Sequence, residues 1–201
     1  MRSGKKLLPE EKYNLAYANP EYMRVSVGQA YLTWVLTHLQ FKTVLDVGCG
    51  VGYSILNLLL HHKAVQGIEI CDYLINGTLR TYACAGVVKK GRIQEIPHPA
   101  DTFDLVYCTD VLEHIPEPDI HKSIGELVRV SKKYIFVSIC TIPSQCMPEL
   151  KLHETIKQRE WWEAEFNKFR VKMIGEPLVV QKDAQYQVRK SDGFAAVYKK
   201  Y

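Results

Sequence analysis

The segment Thr43-Val44-Leu45-Asp46-Val47-Gly48-Cys49-Gly50-Val51-Gly52 constrains this chain more than any other stretch. Its first half is a short β-branched run, which reads as a strand. Its second half is glycine-rich and leads into a helical pattern over residues 51–61. Glycines let the backbone turn tightly and lie against a ligand, with a helix N-terminus behind it. The alternation then continues. Residues 64–70 read as a strand, 73–83 as a helix, 87–93 as a weak third strand and 103–108 as a clear fourth. An amphipathic helix over 120–130, a strongly apolar strand over 134–139, a loop over 140–155 and a helix over 156–169 follow. Strands near 171–180 and 194–198 close the chain. Alternating elements with near-continuous apolar strands predict an α/β fold, a doubly wound sheet buried between helices on both faces. Ligands in such sheets bind outside the carboxyl ends of the strands.

Two further stretches precede this core. Residues 1–20 are polar and read as a loose arm, and residues 21–40 carry apolar positions at helical spacing. The division expected is an N-terminal arm and helix over 1–40 that covers the ligand, then the main body over 41–201, all in one domain. No run approaches the ~20 apolar residues of a spanning helix, and the N-terminus lacks the apolar core of a signal peptide. The excess of 26 basic over 22 acidic residues leaves +4, too mild to call for a nucleic-acid partner. Six scattered cysteines without a C-x-x-C pair point away from a disulfide framework or a zinc site, and toward a reducing, cytoplasmic setting.

The glycine loop excludes some ligands. It reads G-x-G-x-G, one residue short of the dinucleotide fingerprint, and no Lys-Ser/Thr follows, so it is no Walker loop. Asp46 before it would repel a pyrophosphate and suit a cation. Glu69 closes the second strand and is placed to accept ribose hydroxyls.

This pattern resembles the class I S-adenosylmethionine-dependent methyltransferases. The resemblance runs through Val44 to Gly52, Glu69, Phe103-Asp104-Leu105-Val106 and Val111-Leu112-Glu113-His114-Ile115-Pro116. It implies a Rossmann-like sheet of seven strands, the last antiparallel. It implies S-adenosylmethionine as cofactor, held by Asp46, Gly48, Cys49, Gly50, Gly52 and Glu69. Family members often carry an Asp after the third strand; Arg92 stands there, which leaves adenine to Ile93, Gln94 or Glu95. An arm residue, from Tyr13, Tyr17, Tyr22 and Arg24, is a candidate for the cofactor carboxylate.

The acceptor end draws on the loops after strands four and five. If residues 110–114 are helical, Asp110, Glu113 and His114 share a face and form a candidate divalent-metal site for Mg²⁺ or Mn²⁺. That spacing is similar to the E-x-x-E-H element of ubiquinone-pathway O-methyltransferases. The alternative is that Glu113 or His114 orders the loop without metal. Asp110 is expected near the methyl donor, and His153 is the first candidate general base, with Asp110 and His114 next. Leu152-His153-x-Thr155 with Trp161-Trp162 looks like a tail of glycan-associated methyltransferases. It implies methylation of a sugar hydroxyl, although both tryptophans read more plainly as core. The alternatives are a small-molecule methyltransferase for a phenol, quinone precursor or amine, an RNA methyltransferase, and a non-catalytic cofactor-binding protein.

Overall fold

The computed structural model describes residues 7–23, 28–177 and 192–201. Its strands are β1 (Thr43–Val47), β2 (Ala64–Glu69), β3 (Val88–Lys90), β4 (Phe103–Thr109), β5 (Ser131–Cys140), β6 (Val171–Gly175) and β7 (Gly193–Lys200). They form one seven-stranded sheet in the order β3-β2-β1-β4-β5-β7-β6. The first five are mutually parallel, and β7 runs antiparallel to both β5 and β6. The expected Rossmann-like sheet with an antiparallel last strand is therefore present.

The near-continuous apolar strands have a plain cause: both faces are covered. In β4, Leu105 and Tyr107 join a core with residues of α3 (Gly28–His38) and α4 (Tyr53–Leu60), including Val35 and Ile55. Val106 and Cys108 point the other way and pack with α7 (Glu117–Val130) and α8 (Arg159–Phe166) through Leu127 and Trp162. Successive side chains of a strand alternate faces, so a strand between two layers must be apolar throughout.

The structure departs from the sequence reading in four places. The arm is not loose: Pro9–Tyr17 is a helix, α1, and Pro20–Met23 adds a turn, α2. The helix over 73–83 is two pieces, α5 (Asp72–Asn76) and α6 (Arg80–Cys84), with Gly77 at the break; glycine in a helix interior costs about 1 kcal/mol. Residues 110–114 do not form an α-helix; only Leu112–His114 make a single 3₁₀ turn. Finally, β6 ends at Gly175, and the remainder of the strand expected to 180 lies partly outside the described residues.

All six cysteines are free. No helix among the described residues is long and apolar enough to cross a membrane.

Candidate active site

The glycine loop is fixed from below by β2. The amides of Gly48 and Cys49 both donate to the Ile68 carbonyl, at 2.9 and 3.1 Å. Gly48 has φ 71°, and a Cβ there would collide with Val111, so only glycine fits. Gly52 caps α4 at φ 87° with no room beside Leu79. It lines neither cavity described below.

Glu69 is buried and tied into the loop. Its Oε2 accepts the Gly50 amide at 2.9 Å, and its Oε1 accepts the amides of Ile70 and Cys71 at 2.9 and 3.0 Å. Burial pushes its carboxyl up, and the three amides pull it back down. Asp46, on β1, is also buried, and its Oδ2 has no partner. Burial, reinforced by the nearby charge of Glu69, pushes it up to about 7. A buried carboxylate oxygen without a donor is costly and calls for a cation or a hydrogen-bond donor.

Two cavities open over the carboxyl ends of the strands. The smaller, about 110 Å³, is lined by Glu69, Ile70, Arg92, Ile93 and Gln94. Glu95 turns back, and its amide donates to the Arg92 carbonyl. The larger, about 340 Å³, is lined by Asp46, Cys49, Gly50, Glu113, Ser138 and His153. Five residues line both: Tyr17, Tyr22, Gly48, Asp110 and His114. They stand where the two spaces adjoin.

The arm packs beside this region through several contacts. Asn14 Oδ1 of α1 accepts the Tyr73 amide at 3.0 Å and the Cys71 thiol at 3.3 Å. Glu10 pairs with Arg92, and Lys12 pairs with Glu154. Tyr17 and Tyr22 meet edge-to-face at 5.0 Å between ring centres. Tyr13 lines the smaller cavity and meets His114 edge-to-face at 5.6 Å between ring centres, and Arg24 lies outside the described residues.

Beyond β4 the backbone turns sharply. Asp110 sits at φ 51°, its amide donates to the Ser138 carbonyl at 3.0 Å, and its Oδ1 accepts the Ser138 hydroxyl at 3.0 Å. Parallel pairing of β4 with β5 sets Thr109 beside Ser138 and so fixes this contact. Glu113 is buried; its Oε1 accepts the Cys140 amide at 3.0 Å and its Oε2 has no partner. Burial pushes both carboxyls up, and the charge of Asp110 pushes Glu113 further. His114 Nδ1 donates to the Leu152 carbonyl at 3.1 Å, and His153 Nδ1 donates to the Ile142 carbonyl at 2.6 Å. Burial, with His153 beside it, lowers His114 to about 3, and burial lowers His153 too, so both imidazoles are held toward the neutral form.

Among the described residues, the expected metal trio is not the set whose donor atoms converge. The left-handed turn at Asp110 breaks the helical register that would have aligned it with Glu113 and His114. The donor atoms that converge belong to Glu113, His114 and His153, within 4.8 Å of one another. Sequence reading also missed Ser138 and Asn14. A lone serine inside Phe136-Val137-Ser138-Ile139 was a visible signal for the first.

Residues 45–136 match the family described as "Methyltransferase domain". The glycine loop, the strand-end acid and this strand order agree with that match. Over these residues the chain carries a methyltransferase domain. A ubiquinone biosynthesis O-methyltransferase of Coxiella burnetii is 30% identical over 111 residues, 50% of this chain and 45% of that protein. A sterol 24-C-methyltransferase, erg6, of Aspergillus fumigatus is 29% identical over 123 residues, 58% of this chain and 32% of that one. The chain thus spans less than half the length of these curated relatives. In fold it is similar to the magnesium protoporphyrin IX methyltransferase of Synechocystis PCC 6803, solved with bound SAM. The TM-score is 0.69 at 13% identity, covering 99% of this chain and 100% of that one.

The methyltransferase cofactor fits the residues present. Asp46 Oδ2 lacks a donor in the larger cavity, and Glu69 Oε2 keeps one free lone pair in the smaller, where a ribose hydroxyl can donate. The sugar acceptor is not supported. Neither Trp161 nor Trp162 lines either of these two cavities; Trp162 is buried in the core and Trp161 packs beside it.

Proposed function

We propose that the chain is a small-molecule O-methyltransferase, acting on a hydroxyl of a phenol or quinone precursor. The observation that carries this reading is that Asp110, His114, Gly48, Tyr17 and Tyr22 line both the smaller space beside Glu69 and the larger space beside Asp46 and His153, so that a cofactor extending across both sets its sulfur beside the acceptor end. S-adenosylmethionine, when bound, supplies a methyl group whose bond to sulfur breaks as the acceptor oxygen bonds to carbon, leaving a neutral thioether. The protein's share is mainly alignment, which can supply about 7–11 kcal/mol of the barrier.

Glu69 and the segment Arg92 to Gln94 hold the nucleoside end in this reading, and Asp46 with the Gly48–Gly50 turn holds the methionine end. The arm over residues 7–23 covers both. Asp110 sets its carboxylate beside the reacting centre, where positive charge is favoured. A hydroxyl must lose its proton to react, and His153 Nε2, free because Nδ1 is committed to Ile142, is placed to take it. That need separates a hydroxyl from an amine, which reacts without such help. The ubiquinone-pathway relative, an O-methyltransferase by name, supports the same acceptor class.

The test is incubation with methyl-labelled S-adenosylmethionine and a panel of phenols, catechols, amines, sugars and RNA. Label in the phenolic fraction is the expected result. Label confined to sugars, amines or RNA, or in none, would overturn the reading.

A further inference from the structure

Three side chains at the acceptor end present lone pairs with nothing to receive them. A backbone carbonyl only accepts, so the bonds from His114 to Leu152 and from His153 to Ile142 place the imidazole hydrogens on Nδ1. Each neutral ring then carries its lone pair on Nε2. Glu113 adds a buried carboxylate oxygen, Oε2, with no hydrogen-bond partner. The two rings stand edge-to-face, 4.7 Å between centres at 87°. Lys12, whose charge reaches His114, is engaged elsewhere, on Glu154 and the Lys151 carbonyl.

We infer that Glu113 Oε2, His114 Nε2 and His153 Nε2 bind one divalent transition-metal ion. A buried acid with an orphan oxygen, facing two imidazoles oriented through their far nitrogens, has the second-sphere support usual for metal ligands. The scaffold is fixed before any ion arrives. The amides of Glu154 and Thr155 both donate to the Glu113 carbonyl, at 2.8 and 2.9 Å, and the Thr155 hydroxyl donates to the Ile115 carbonyl at 2.7 Å. These bonds clamp the loop that carries His153 onto the turn that carries the other two.

Two nitrogens and one oxygen favour Zn²⁺, Mn²⁺ or Fe²⁺ over Mg²⁺, which takes oxygen ligands and keeps its waters. Ligands about 2.0–2.2 Å from one ion lie within about 4.4 Å of one another, so the present trio, within 4.8 Å, closes on an ion by small side-chain adjustments. Three protein ligands leave positions open, and all three residues line the larger cavity. The open positions therefore face the acceptor. An ion there would lower the pKa of a coordinated hydroxyl, whose proton would leave to solvent water, with His153 Nε2 taking the proton only in the ion-free chain. That last role rests on the proposed O-methyl transfer; the binding of the ion does not.

The experiment titrates the chelator-stripped full chain with Zn²⁺, and separately with Co²⁺, in the absence of cofactor and acceptor. Calorimetry reads stoichiometry and visible absorption of Co²⁺ reads the ligand field. Expected are one ion per chain at micromolar affinity or tighter, weaker binding of Mg²⁺, and at least a hundredfold loss in His153→Ala with cofactor affinity unchanged. No stoichiometric binding in the native chain, or wild-type affinity in His153→Ala, would overturn the site. Should that variant fail to fold, ¹⁵N shifts of the imidazole Nε2 atoms on Zn²⁺ addition to the native chain decide instead: both move, or the site is wrong. Cofactor titrations of the same sample report separately on the methyltransferase reading.

Discussion

The amide of Gly50 donates to Glu69 Oε2 at 2.9 Å, so the glycine loop and the acid at the end of β2 are one unit. Three backbone amides occupy this carboxylate, leaving it a single lone pair for a ligand. Glu69→Ala should act twice. Cofactor affinity should fall at least tenfold, and apo stability should fall by about 1–3 kcal/mol as the amides lose their acceptor. Calorimetry and urea denaturation read the two effects. Unchanged affinity would remove Glu69 from the cofactor site.

Asp46 gives a pH prediction. Its carboxyl is raised from 3.8 to about 7 by burial and by Glu69. The stability that goes with its neutral form is complete below the unfolded value and is lost as pH rises through about 7. Asp46→Asn should therefore melt higher than the native chain at pH 8, with the difference shrinking toward pH 5. Cofactor affinity of the native chain should rise over the same interval, as the carboxylate forms, and that rise should vanish in Asp46→Asn. A flat profile in the native chain would contradict the role given to Asp46.

His153 separates chemistry from binding. His153→Ala should lower kcat by 10²–10⁴-fold, the range of a lost proton acceptor, while cofactor affinity stays within twofold. Whether this residue acts as base or through an ion, a normal kcat in the variant would move the chemistry to Asp110 or His114.

The two tryptophans divide sharply. Trp162 is 0% exposed, and Trp162→Ala should cost about 3–5 kcal/mol of stability. Trp161 is partly buried, with the Lys157 ammonium 5.3 Å from its ring centre. Trp161→Ala should leave KM for the acceptor within twofold. A tenfold rise in KM would restore an aromatic platform and, with it, a sugar acceptor.

Much of this was legible in the sequence, for a physical reason. Strands buried on both faces are mostly apolar, so β1, β4 and β5 announce themselves, and Gly48 is dictated by a backbone angle that other residues avoid. The arm helix was overlooked although Pro9 at its first position and Glu10 and Glu11 in its first turn are helix-start signals. Its weak apolar stripe hid it. The regrouping of Glu113 and His114 with His153 was not legible at all. It depends on the left-handed turn at Asp110 and on β4 and β5 ending side by side, neither of which local spacing encodes. The tryptophan pair shows the converse: a motif likeness suggested a sugar, and burial removed it.

The central claim is the division of the cofactor between the two cavities, with its sulfur beside the residues that line both. A crystal structure of the chain with S-adenosylhomocysteine tests this most directly. The account predicts the ribose on Glu69, the adenine beside Ile93 and Gln94, and the sulfur between Asp110 and His114. A nucleoside lodged elsewhere, or a diphosphate on the Gly48–Gly52 turn, would contradict it.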